Sequence, residues 1–177
     1  MDAAAEVFGE RGIDAPLDVV ARRAGVGNAT LYRHFGSRED LVLAVFVGQL
    51  REWAETATAA ARDPDAWNGL RDYVRAVCRM QARNRALADL IVSDAAVGEE
   101  ISELRRTAWR ATLRVMRRAQ RAGSVRQDVT PRDVRIILMA NAGVVLHSGD
   151  QAAATSARLT EIMLAGLAKS SSGGPTD

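Results

Sequence analysis

Residues 17–35, LDVVARRAGVGNATLYRHF, constrain the fold more than any other stretch of the chain. Two runs with helical apolar spacing, one through Leu17, Val20, Ala21 and Ala24 and one through Leu31 and Phe35, are separated only by Gly25-Val26-Gly27. So short a connection demands a sharp change of direction, and Gly25 tolerates the positive φ that such a turn requires. The spacing predicts one helix over 17–24, a second opening at Gly27-Asn28, and Val26 as an apolar plug between them. Leu31 and Phe35 then face inward, leaving Thr30, Tyr32, Arg33 and His34 on the other faces. Two helices joined in this way have the geometry of a helix-turn-helix that offers its second helix to a DNA major groove.

The remainder reads as helix throughout. Ala4, Val7 and Phe8 have helical spacing and Gly12 supplies a stop, so residues 1–12 look like the second half of a helix. Asp14 or Ala15 is expected to cap the next helix with Pro16 in its first turn. Ser37 followed by Asp40 forms a capping arrangement, and Leu41, Val42, Val45, Phe46, Leu50 and Trp53 carry one long helix to about residue 62. Further helices are expected over 66–83, 85–93, 99–122, 130–147 and 151–169, with 124–129 as a connection. No period-two alternation and no internal repeat is present, so the expected fold class is all-α.

The helix over 130–147 suggests the assembly. Ile136, Met139, Ala140, Gly143 and His147 lie on one face, while Val134, Ile137, Leu138, Asn141 and Val145 lie on another. A helix apolar nearly all round must be covered on both sides. The last helix adds Leu159, Ile162, Met163 and Gly166 among alanines suited to close approach. A homodimer through a four-helix bundle, two helices from each chain, is therefore expected, against the alternative that both helices fill a monomer core.

Composition removes several classes. The single cysteine, Cys78, excludes a disulfide framework within the chain and a multi-cysteine zinc site, and fits a reducing cytoplasm. Residues 136–146 form the longest apolar run, which Asn141 interrupts and which falls short of the ~20 residues needed to span a bilayer. No charged-then-apolar leader opens the chain. His34 and His147 are far apart, Cys78 has no adjacent motif, and no acid pair sits at catalytic or metal-binding spacing. An enzyme, a metal site and a cofactor are not expected. The net charge of +2 is unevenly placed: residues 1–62 hold seven arginines against nine acids, a balance of −2, and the rest carries +4. Phosphate neutralisation supplies most non-specific DNA affinity, so this balance runs against the DNA reading.

The run from Val19 to Phe35, VVARRAGVGNATLYRHF, followed by Ser37-Arg38-Glu39-Asp40-Leu41, resembles the signature of the TetR/AcrR family of bacterial transcriptional regulators. The likeness covers about residues 4–47 and implies a double-stranded DNA-binding homodimer, commonly a repressor on a palindromic operator, whose C-terminal domain takes a small-molecule effector. On this likeness residues 1–47 form the DNA-binding domain, 48–169 the effector-binding and dimerisation domain, and 170–177, rich in Ser, Gly and Pro, a disordered tail. Gly27 stands where the family usually has a capping Ser or Thr, and Ala29 where it often has Gly. Family members also carry a basic arm and a full first helix, so the first helix here is expected to be truncated. That shortfall would account for the negative balance, and it keeps open a second reading as a dimeric scaffold that has lost tight DNA binding.

The resemblance assigns roles. Asn28 and Ala29 open the recognition helix, where Asn can pair bidentately with adenine and Ala can touch a thymine methyl. Thr30, Tyr32 and His34 match positions that mostly hold phosphates, Arg33 could reach base or backbone, and Arg38 would hold a phosphate beside the next helix's positive end. The effector site is expected among Trp53, Trp67, Tyr73, Cys78, Met80, Trp109, Met116 and Met139, with Asn141 and His147 as polar anchors and a largely apolar ligand. The arginines from Arg105 to Arg121 read as a solvated face partly paired with Glu99, Glu100 and Glu103.

Overall fold

The computed structural model describes residues 1–92 and 98–169, so the expected tail at 170–177 lies outside the described residues. These fold as α1 (Asp2–Arg11), α2 (Leu17–Ala24), α3 (Asn28–Phe35), α4 (Arg38–Ala60), α5 (Ala66–Arg83), α6 (Arg85–Val92), α7 (Glu99–Arg121), α8 (Pro131–His147) and α9 (Ala152–Leu167). A 3-10 turn at Gly149–Gln151 leads into α9, and among the described residues there is no strand, only an isolated bridge between Val125 and Ala168. The fold class is all-α, as the periodicity predicts.

Local chemistry sets the boundaries. The Ser37 hydroxyl accepts from the Asp40 N–H at 3.0 Å while the Asp40 carboxylate accepts from the Ser37 N–H at 3.1 Å, a reciprocal box that starts α4. Asp65 caps α5 by accepting from the Trp67 and Asn68 N–H groups, and Thr130 with Asp133 repeats the box at α8. Two expected boundaries are corrected, one near each end of the chain. Pro16 is the N-cap residue of α2, with ψ 134°, rather than part of its first turn. The last helix stops at Leu167, because Arg126 N–H donates to the Leu167 carbonyl and Lys169 N–H to that of Ser124, pulling Ala168 into extended pairing.

The long α4 joins the two halves. Leu41, Val42, Phe46, Leu50, Trp53 and Ala57 are buried along its length, the first of them toward the head and the last toward the body. Phe8 of α1 meets Phe46 with ring centroids 6.1 Å apart. Trp53 packs edge-on to Trp109 of α7 at 5.6 Å, and its Nε1 donates to Tyr73 Oη of α5 at 2.9 Å. Tyr73 Oη bonds Thr112 Oγ1, which donates to the Ala108 carbonyl, so each polar atom of this buried chain is satisfied. Where α4 meets α5, a Cβ on Gly69 would stand 2.5 Å from the Ala60 carbonyl oxygen, so only glycine permits that approach.

Candidate nucleic-acid interface

Gly25 adopts φ 70° and ψ 26°, the left-handed conformation at the end of α2, and the Val26 N–H returns to the Ala21 carbonyl at 3.0 Å. This is the turn the sequence demands, and it sets α3 across α2. Val26 is not the expected plug: it is 39% exposed. The turn is closed by its backbone bonds, and the buried contact between the helices comes from Val20, Ala21 and Leu31 instead. Phe35 is half-buried against the same core.

The outer face of α3 is open. Asn28, Ala29, Tyr32, Arg33 and His34 are exposed and Thr30 is half-buried, with Tyr32, a large aromatic ring, 50% exposed. Gly27 is the N-cap residue and offers no side chain to the first turn. The α3 N-terminus therefore presents uncapped N–H groups at the end where the helix dipole is positive, a favourable place for a phosphate oxygen. Around this face the head is braced by its own charges. Arg23 reaches back to Glu6 and Glu10 of α1 at 3.0 and 3.1 Å, and Arg22 pairs with Asp18.

Arg38 is placed differently from the other candidates. Its Nη1 donates to the carbonyl oxygens of Ile13 and Ala15 at 3.1 and 2.8 Å, so the guanidinium fastens the start of α4 to the α1–α2 loop. No sequence motif signals this contact, because it joins residues more than twenty positions apart. At the same joint a cavity of about 280 Å³ lies between the α1–α2 loop and α6, lined by Gly12, Asp14, Arg85 and Asp89 among others. Burial pushes the Asp89 carboxyl above its ordinary range, and Arg85 opposes that shift.

Comparison with known proteins agrees with this geometry. Residues 1–45 match the model of the bacterial regulatory proteins, tetR family, and residues 63–169 that of the transcriptional regulator SbtR-like C-terminal domain. This chain belongs to the tetR family. Over 87 residues it is 36% identical to the HTH-type transcriptional regulator BetI of Rhizobium meliloti, covering 47% of this chain and 40% of that one. Over 68 residues it is 37% identical to the HTH-type transcriptional regulatory protein RaaS of Mycobacterium tuberculosis, covering 37% and 32%. The matched part thus spans less than half the length of either curated relative. The TetR transcriptional regulator SCO0520 of Streptomyces coelicolor superposes with a TM-score of 0.61 at 30% identity, covering 96% of this chain and 97% of that one.

In this tetR-family regulator the body places the remaining candidates unevenly. Trp53, Tyr73, Cys78, Met80, Met116 and Asn141 are buried, Trp67 and Trp109 half-buried, and Met139 and His147 exposed. Of these, Cys78 lines a cavity of about 440 Å³ between α5 and α9, whose other walls include Arg79, Arg83, Ala157 and Thr160. Asn141 is held by its own bonds: its Nδ2 donates to Gln81 Oε1 and its Oδ1 accepts from Ser156, both at 2.8 Å. Burial pushes the Cys78 thiol above its usual range, which keeps it protonated and inert. On α7, Arg106 and Arg110 pair with Glu103, and Arg106 also with Glu99.

The residues expected at a dimer contact are open to different degrees. Ile136, Met139 and His147 of α8 and Ile162 and Gly166 of α9 are exposed, while Ala140, Gly143, Leu159 and Met163 are half-buried. The opposite face of α8, with Val134, Ile137, Leu138, Asn141 and Val145, is buried in the body. Among the described residues, and beyond the adjoining backbone of the helix itself, no atom comes within 4 Å of a Cβ built on Gly143 or Gly166. Among the described residues no helix is long and apolar enough to cross a membrane.

Proposed function

We propose that the chain is a homodimeric repressor that binds a palindromic operator through α3 and is released by a small, largely apolar effector. The observation that carries this reading is the pairing of two open surfaces on one molecule. One is the polar α3 face with Asn28, Tyr32 and His34; the other is the apolar α8–α9 face with Ile136, Met139 and Ile162 about 50% exposed. A monomer has no use for the second surface, and apolar exposure of this kind marks a contact site. Pairing that face about a two-fold axis would hold two recognition helices about one DNA turn apart, roughly 34–36 Å.

In this reading Asn28 and Ala29 meet base edges, and Thr30, Tyr32, Arg33 and His34 hold backbone or base. Arg38 acts mainly by holding the head's loop in place and only then by lending charge to the backbone. An effector that packs differently in the two states shifts α4 and, through Phe8 on Phe46 and Arg38 on the loop, the separation of the two heads. Gel-shift titration of the DNA upstream of the chain's own gene tests the reading. A specific shift at a short palindrome is expected, and a shift no tighter than that of unrelated duplex would refute it.

A further inference from the structure

The cavity between α5 and α9 has a charge pattern that neither the fold nor the family assignment uses. Arg75, Arg79 and Arg83 recur at four-residue steps along α5 and so share one face. Arg75 is clasped by Glu161 of α9, with Nε and Nη2 donating to the two carboxylate oxygens at 2.8 and 2.7 Å. Arg79 and Arg83 are exposed and, among the described residues, neither has a carboxylate partner. Ala82 stands beside them on α5 and Ala153 and Ala157 line the cavity from α9, and these small side chains leave the space open and apolar. The pocket therefore has an apolar strip with two unmatched cations at one end and an occupied ion pair at the other.

The inner wall adds a mechanical link. Ser156, 2% exposed, lines the cavity and donates to Asn141 Oδ1, and Asn141 donates to Gln81, whose Nε2 donates to the Leu138 carbonyl at 3.1 Å. A body inserted against Ser156 and Thr160 thus presses on a buried polar chain that ends on α8. On α9 these cavity residues and the set of half-buried Leu159 with exposed Ile162 and Gly166 lie on different faces, so the cavity and the proposed dimer surface need not compete.

We propose that this cavity binds a small anionic amphiphile, a carboxylate on an apolar chain, with Arg79 and Arg83 on the head and Ala82, Ala153 and Ala157 along the chain. That such a ligand is the effector rests on the regulatory reading above; that it binds here does not.

Calorimetric titration of the full chain with decanoate tests the site, with decyltrimethylammonium as the charge-reversed probe. One decanoate per chain is expected, with at least tenfold weaker binding in the Arg79→Gln/Arg83→Gln double variant. Loss of binding is expected in Ala157→Trp, which fills the cavity. The ammonium probe should bind at least tenfold more weakly than decanoate. The arginine variant alters only exposed side chains, so its result stands even if Ala157→Trp proves unstable. Absence of decanoate binding, affinity unchanged in the arginine variant, or equal binding of the ammonium probe would overturn the proposal. An operator titration with decanoate then separates the two readings. Cavity binding without loss of operator affinity leaves the site standing and removes its effector role, whereas operator release unaltered by the arginine variant overturns the site.

Discussion

Arg38 Nη1 reaches across the head to the carbonyl oxygens of Ile13 and Ala15, and through that contact the first residue of the linking helix is fixed to the loop that precedes α2. The bond satisfies two carbonyls that no helix or strand serves. Arg38→Ala is expected to lower stability by about 1–3 kcal/mol, the size of two charge-assisted bonds discounted for a partly exposed site. Arg38→Lys should recover little of this, because the lysine side chain is one bond shorter and its ammonium falls short of the place that Nη1 occupies. Urea denaturation of the three proteins checks it.

The Trp53–Tyr73–Thr112 chain gives a prediction in alkali. Burial pushes the Tyr73 hydroxyl up to about 12, against the bonds to Thr112 and Trp53, which act the other way. An unfolded tyrosine titrates near ~10. Below that pH both states hold the proton, and the contribution is fully present. Above it the unfolded chain ionises first, and stability is lost as pH rises from about 10 through 12, by about 3 kcal/mol in all. Tyr73→Phe should remove this slope, while costing about 1–3 kcal/mol at neutral pH by leaving Trp53 Nε1 without an acceptor. Denaturation curves at intervals across that range, for both proteins, would reveal it.

The apolar face of α8 and α9 predicts assembly. Met139→Arg and Ile162→Arg place charge on side chains that are 50% and 54% exposed in the single chain, so neither should disturb its fold. Each should convert a dimer to a monomer at micromolar concentration, because an unpaired charge would be buried at the centre of the contact. Analytical ultracentrifugation beside a thermal melt distinguishes lost pairing from lost folding.

Much of the helical frame was legible because its ends are written in local chemistry. Ser37 with Asp40 marks the start of α4 by capping alone, and α5 begins and ends where its periodicity predicts, with Asp65 supplying a cap that the spacing did not reveal. Gly25 was legible for the same reason, since one turn admits few residues. Val26 was not, because whether an apolar turn residue is covered depends on what passes over it, and here it stays 39% exposed. Large side chains were poor guides to the cavity. Trp53 and Tyr73 fill space within the core, bonded to each other, and Met116 is buried outside the cavity lining, whereas the space itself is left by alanines at the α5–α9 contact. An empty volume is a property of two helices together, and no single stretch of sequence encodes it.

The central claim is that α3, held as one of a pair, reads DNA. Equilibrium titration of a fluorescent palindromic duplex from the chain's own upstream region, with wild type, Tyr32→Ala and Asn28→Ala, tests it most directly. The account predicts saturation at two chains per duplex. Tyr32→Ala should weaken every sequence by a similar factor of about ten, and Asn28→Ala should change preference at one base pair in each half-site by about 1–3 kcal/mol. Saturation at one chain per duplex, or curves for both variants that coincide with wild type on every sequence, would contradict it.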